Sequence, residues 1–157
     1  MHLHVMTLCE IVSGKKILLK MANRGVSKGN WNGLGGKIEQ NETPEEGVVR
    51  EVEEESGLKI KDLQKIGVLN FYKSSRDELF ARVHLFYSES FSGELLESDE
   101  GELRWFNIDA IPYDKMWPDD EFWFPLLLRG FRFDGDFVFD SGMKSVISYT
   151  ISNLEKR

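Results

Sequence analysis

Short runs of apolar, β-branched and aromatic residues recur along the chain, separated by polar clusters, at a spacing that suits strands better than long helices. Such runs at residues 5–12, 17–21, 63–72, 79–87 and 103–108 each predict a strand. Further along, residues 131–133 and 137–139 flank Asp134 and Gly135, types that tolerate a tight turn, so a hairpin is expected there. Another strand is expected at 146–151. Two segments read instead as helices. Thr43, Pro44 and Glu46 form a capping box with proline at the first helical position, and Gly57 can close the helix in a left-handed conformation. A second helix begins near Pro118. No repeat or linker interrupts the pattern, which predicts one mixed α/β sandwich over residues 1–157.

Composition narrows the picture. A chain of 157 residues, 41% hydrophobic and 12% aromatic, suffices for one domain with a real core. Its formal net charge of -7 argues against stable nucleic-acid binding through phosphate neutralisation. The single cysteine, Cys9, lies in the first apolar run, so no intrachain disulfide can form; core filler is the expected role, and a reducing cytoplasm the expected compartment. No run approaches the roughly 18 apolar residues of a membrane span, and the N-terminal residues lack a basic region and a small-residue cleavage site. A soluble monomer without membrane association is expected.

The charge is unevenly spread. Residues 37–55 hold eight acids against two bases, a local charge of -6. On a helix, Glu51, Glu54 and Glu55 share about a third of the circumference, beside an apolar stripe of Val48, Val49 and Val52. Like charges so placed destabilise a helix by roughly 0.2–0.5 kcal/mol per pair, a cost that a bound cation reverses. Carboxylate oxygens on one face suit Mg²⁺ or Mn²⁺. Charge pattern alone fits equally a solvated helix surface, with Arg50 four residues from both Glu46 and Glu54.

The surrounding residues decide between these. The segment GKIEQNETPEEGVVREVEEESGL resembles the Nudix box at Gly36, Glu42, Arg50, Glu51, Val52, Glu54, Glu55, Gly57 and Leu58, nine positions over 23 residues. That resemblance implies an α/β/α sandwich around a mixed sheet and a metal-dependent hydrolase of phosphoanhydrides. It also implies that Glu51, Glu54 and Glu55 ligate Mg²⁺ or Mn²⁺, with the Gly36 carbonyl completing the shell and Arg50 orienting the glutamates. Glu54 or Glu55 is the expected base, with Glu100 as a secondary candidate.

Substrate choice needs other residues. NWNGLGGK, ESDE, IPYDKMWPDD, MWPDDEFWFPLLL and FRFDGDFVFD look like segments of MutT-type Nudix hydrolases that remove oxidised purine nucleoside triphosphates, and the likeness covers nearly the whole chain. It implies that Asn32, Asp119 and Asp120 read a purine edge while Trp117 stacks on its face, with Thr7 and Phe71 lining the pocket and Gly35 and Gly36 bringing backbone close to phosphate. Without the resemblance, Asp119 and Asp120 would be acids complementing a helix dipole, and Trp117 a core aromatic. Two carboxylates in one partly dry pocket should titrate as a coupled pair, one donating while the other accepts. The chain departs from the pattern at Val26, where an aromatic is usual, and at Ala22, where a lysine is usual.

Other motifs carry less. His2 and His4 alternate on a terminal strand, and His84 sits inside an apolar run as a satisfied sheet histidine. Gly33, Gly35 and Gly36 lack the spacing of a dinucleotide fingerprint. Asp134, Asp136 and Asp140 hint at calcium, but Val138 stands where a calcium loop needs a polar ligand, so a hairpin is the simpler account. The leading expectation is a pyrophosphohydrolase acting on 8-oxo-dGTP or 2-hydroxy-dATP type substrates. Alternatives are a Nudix hydrolase of broader diphosphate substrates and a catalytically silent nucleotide-binding domain, which the intact glutamate cluster opposes.

Overall fold

The computed structural model describes residues 2–25, 27–96 and 101–157. Five strands appear where the apolar runs predict them: β1 (His4–Ser13), β2 (Lys16–Ala22), β5 (Gln64–Lys73), β6 (Leu79–Ser88) and β8 (Gly101–Asn107). Three short strands, β3 (Trp31–Asn32), β4 (Lys59–Lys61) and β7 (Ser90–Ser92), are too brief to show alternation in the sequence. Two strands near the end are β9 (Phe131–Phe139) and β10 (Val146–Lys156). The principal sheet runs β10-β9-β5-β6-β1-β2-β3, with β8 also on β2, while β4 and β7 pair separately. Strands β1 and β6 are parallel, as are β5 and β9, and the remaining pairs are antiparallel.

The expected hairpin at Asp134 and Gly135 is not there. Residues 131–139 form one continuous strand, in which Phe131, Phe133, Gly135, Phe137 and Phe139 occupy alternate positions. Gly135 pairs with Leu69 on one side and Ile151 on the other, and a Cβ on it would lie 2.7 Å from the Phe137 ring. Asp134 stays in the strand because its Oδ1 accepts a 2.8 Å hydrogen bond from the Val68 amide. The chain reverses at 140–145 instead, where the Met143 amide donates to the Asp140 carbonyl at 3.0 Å. β10 then runs well beyond the predicted 146–151.

Helix α1 (Pro44–Ser56) begins and ends as its capping residues dictate. The Glu46 amide donates to Thr43 Oγ1 at 3.1 Å and the Thr43 amide donates to Glu46 Oε1 at 2.9 Å, while Gly57 takes φ 81°. Helix α2 (Asp120–Leu128) follows a short 3-10 turn at Tyr113–Lys115. The two helices pack on opposite faces of the sheet. Val48, Val52 and Leu58 bury against Cys9, Ile11, Leu18, Leu34 and Phe86. Trp123, Phe124 and Leu127 bury with Val12, Leu19, Val83, Leu85 and Phe137 on the other side. β1 feeds both layers by alternation, which makes the α/β/α sandwich. No described helix is long and apolar enough to cross a membrane.

Candidate active site

The loop before α1 lies against β1. The Thr7 amide donates to the Gly36 carbonyl at 2.8 Å, and Cys9 and Leu34 exchange amide hydrogen bonds at 2.6 and 3.2 Å. Glycine is required here. Gly35 takes φ 153°, and a Cβ on it would lie 2.2 Å from the Thr7 carbonyl oxygen; a Cβ on Gly36 would lie 2.7 Å from the Glu51 carboxyl carbon. Backbone oxygen and helix carboxylate are thereby brought side by side. Thr7, buried, reinforces the contact by donating its hydroxyl to the Gly36 carbonyl at 3.2 Å.

The three glutamates sit in different environments although one helix carries them. Glu55 is buried, 4% exposed, whereas the Glu51 and Glu54 side chains are 19% and 55% exposed. Glu55 accepts a 2.9 Å hydrogen bond from the Gly35 amide and pairs with the ammonium of Lys20. Burial pushes its carboxyl up to about 7 against the pull of Lys20. Arg50 ties the rest together. Its Nη1 donates to Glu51 Oε1 at 3.0 Å and Glu54 Oε2 at 3.2 Å, its Nε and Nη2 grip Glu42 at 2.7 and 3.0 Å, and Nη2 also reaches the Lys37 carbonyl at 3.2 Å. That grip holds the Glu42 carboxyl down at about 2. Glu46, the other expected neighbour of Arg50, is engaged in the helix cap.

Glu51, Glu54, Glu55 and the Gly36 carbonyl present only oxygen donors, which is the chemistry of a hard divalent cation. The chain's own cations on these carboxylates show that the place favours positive charge. Among the described residues no three acidic, histidine or cysteine side chains converge on one point, because Glu54 turns to Arg50 and Glu55 to Lys20. The donor set fits an ion that exchanges with those partners.

A second cluster lies on the α2 face. Trp117 is half-buried, with its indole N–H donating to Ser27 Oγ at 3.0 Å and its ring edge-on to Phe139. Phe71 packs on Phe139, Phe137 and Phe80, so Trp117 and Phe71 share one aromatic group. A cleft of about 420 Å³ opens beside Trp117, bounded by Asn30, Met116 and Lys144. Asp119 and Asp120 follow after Pro118 and are 3% and 5% exposed. A role as dipole-complementing surface acids is thus excluded. Asp119 makes no cap hydrogen bond and instead accepts from the Trp123 indole at 2.7 Å. Burial pushes Asp119 up to about 6, and it pushes Asp120 well above its usual range, helped by the charge on Asp119 and then on Glu10. The two carboxyls hydrogen-bond one another, so Asp120 is the neutral partner.

Asn32 lies half-buried on β3, in register with Lys20 on β2. Ala22 closes β2, while Val26 and Glu100 lie outside the described residues. His84 occupies a strand position as expected, but it is not satisfied: its Nδ1 has no described partner, and burial holds its pKa down. Cys9 is fully buried in the α1-side core. Two charged residues at these sites escape a reading of motifs, Lys20 on Glu55 and Glu10 near Asp119. Each is visible in the sequence as a lone charge inside an apolar run.

The NUDIX domain model matches residues 2–127. The chain belongs to the Nudix hydrolase family. It is 40% identical to the oxidized purine nucleoside triphosphate hydrolase of Mus musculus over 149 residues, 95% of this chain and 94% of that protein. With the protein of the same name from Danio rerio it shares 42% identity over 151 residues, 96% of each chain. Among solved structures it is similar to the mutator MutT protein of Bacillus halodurans, with a TM-score of 0.83, 27% identity and coverage of 95% and 97% of the two chains. This Nudix hydrolase is therefore an enzyme of a family that generally depends on divalent metal, carried on the α/β sandwich of MutT proteins.

Proposed function

We propose that this Nudix hydrolase cleaves oxidised purine nucleoside triphosphates to the monophosphate and pyrophosphate, with Mg²⁺ or Mn²⁺ as its ion. The observation that carries the substrate reading is the buried Asp119–Asp120 pair, one carboxyl neutral and one ionised, separated by one residue from the half-buried Trp117. A neutral carboxyl donates and an ionised one accepts. Moving the shared proton lets the same two groups answer purine edges with different donor and acceptor patterns, as 8-oxoguanine and 2-hydroxyadenine present. Trp117 offers a ring face for stacking, and Asn32, Thr7 and Phe71 complete the pocket. The relatives in mouse and zebrafish, named for oxidized purine nucleoside triphosphates, support the reading.

Glu51, Glu54, Glu55 and the Gly36 carbonyl hold the ion in this reading. When bound, it supplies neutralisation of phosphate charge and activation of the attacking water. Gly35 and Gly36 let the phosphates approach the backbone, and Arg50, bonded to both, holds Glu51 and Glu54 side by side for the ion to take over. Glu54, the most exposed of the three, takes the proton from the water as the α–β anhydride opens, while Glu55 is tied to Lys20 and Gly35. A monomer in the cytoplasm, binding neither nucleic acid nor membrane, is part of the same proposal and rests on composition.

The test is pyrophosphate release with Mg²⁺ across 8-oxo-dGTP, 2-hydroxy-dATP, dGTP, dATP and GTP, with Glu54→Gln as control. A preference for a modified purine that the variant abolishes is the expected result. Equal rates across the panel would shift the reading to a broader diphosphate substrate, which the loss of a lysine at Ala22 favours. Turnover in the absence of divalent metal would refute the mechanism.

A further inference from the structure

Glu10 is the one described carboxylate that is fully buried with no hydrogen bond to either oxygen. It occupies the β1 face shared by Leu8 and Val12, which turns toward α2, and not the face of Cys9 and Ile11. Its oxygens crowd Gly33, where a Cβ would lie 2.5 and 2.6 Å from them. The groups bearing on it are few. From the start of α2 and the residue that caps it come Asp120 and Asp119. From β6 comes Tyr87, its register partner, with a phenol turned to Glu89. Its own strand contributes the buried Cys9. The cation on β2, Lys20, is held by Glu55, and no described lysine or arginine pairs with Glu10.

Three carboxyls in one dry region ionise one after another, each at a higher pH than it would alone, because each added charge meets the others with little screening. We propose that Glu10 is a positioning residue of the Asp119–Asp120 pair, whose charge keeps one proton on that pair at alkaline pH and so widens the range over which it reads a modified purine. The order of ionisation follows from the surroundings. Asp119 goes first, since the Trp123 indole stabilises its charge. Glu10 follows, burial and then Asp119 pushing it up to about 8. From there Asp120 would lose its proton against two neighbouring charges instead of one. Replacing Glu10 by glutamine keeps the shape and removes the second charge.

The proposal rests on the base-pocket reading, so the experiment separates the two. The affinity of 8-oxo-dGMP is followed without metal by tryptophan fluorescence from pH 6 to 10, for the parent, Glu10→Gln, Asp119→Asn and Asp120→Asn. In parallel, the ¹³C carboxyl signals of Glu10 and Asp120 are titrated in the free parent protein. The expected result is an alkaline loss of affinity that Glu10→Gln moves about one pH unit toward acid, and an Asp120 signal that responds to the ionisation of Glu10. A Glu10 that titrates in the parent as an ordinary carboxylate overturns the proposal, whether or not the variant folds. So does an alkaline limb unmoved in Glu10→Gln while the aspartate variants weaken binding, an outcome that leaves the pocket reading standing. Failure of the aspartate variants to alter binding overturns the pocket reading, and with it the consequence drawn for recognition.

Discussion

Glu10→Gln should gain stability relative to the parent as pH rises. In an unfolded chain a glutamate titrates near 4.5, whereas in the fold burial and then the charge on Asp119 push Glu10 up to about 8. Below 4.5 both states hold the proton, and the raised pKa costs nothing. Between 4.5 and 8 the folded state keeps a proton that the unfolded state has released, so stability falls as pH rises, and above 8 the loss is complete. At roughly 1.4 kcal/mol per pH unit, the loss is about 3 kcal/mol at pH 7 and about 5 kcal/mol above pH 8. The buried carboxamide brings its own cost of about 1–3 kcal/mol, but that cost does not titrate. The stability difference between variant and parent should therefore change by about 4 kcal/mol between pH 5 and pH 9 in favour of the variant. Urea unfolding followed by the fluorescence of the four tryptophans measures it. A difference that stays constant from pH 5 to pH 9 would mean that Glu10 ionises normally within the fold, and the reasoning from its burial would be wrong.

Three further outcomes follow from the site. Lys20→Met should lower the Mg²⁺ concentration needed for half-maximal binding severalfold in calorimetry, because the ion no longer exchanges with an ammonium for Glu55; an unchanged requirement would separate Lys20 from the ion site. Gly36→Ala should reduce kcat by about 100-fold or more, since its Cβ meets the Glu51 carboxyl; a steady-state assay showing near-parental kcat would contradict the placement of Gly36 beside Glu51. Trp117→Ala should weaken 8-oxo-dGMP binding about 5- to 150-fold, the value of base stacking at about 1–3 kcal/mol, with kcat largely retained. A loss confined to kcat would show that Trp117 does not stack on the base.

Much of this molecule was legible locally. Thr43, Pro44, Glu46 and Gly57 specify both ends of α1 through backbone hydrogen bonds that close within a few residues, and the structure keeps them all. Nine matched positions from Gly36 to Leu58 announced the family, because the site chemistry is compressed into one loop and one helix. The hairpin at Asp134 and Gly135 was misread for the opposite reason. Turn residues in isolation favour reversal, but here Gly135 pairs with Leu69 and Ile151 on the two neighbouring strands, partners made across the sheet and invisible in the local pattern.

What the sequence determined by itself was the period of its strands, the caps of α1 and the oxygen donors along one helix face. Tertiary structure alone decided which charges are buried and with whom. Glu51, Glu54 and Glu55 read as equivalent in sequence, yet only Glu55 is sealed in with Lys20, a residue 35 positions away. Asp119 and Asp120 look like solvent-facing acids at a helix start until β1 brings the Glu10 face against α2 and removes water from all three. Burial sets the protonation of these groups because the cost of a charge depends on the dielectric around it. That surrounding is a property of packing, written in residues far apart along the chain.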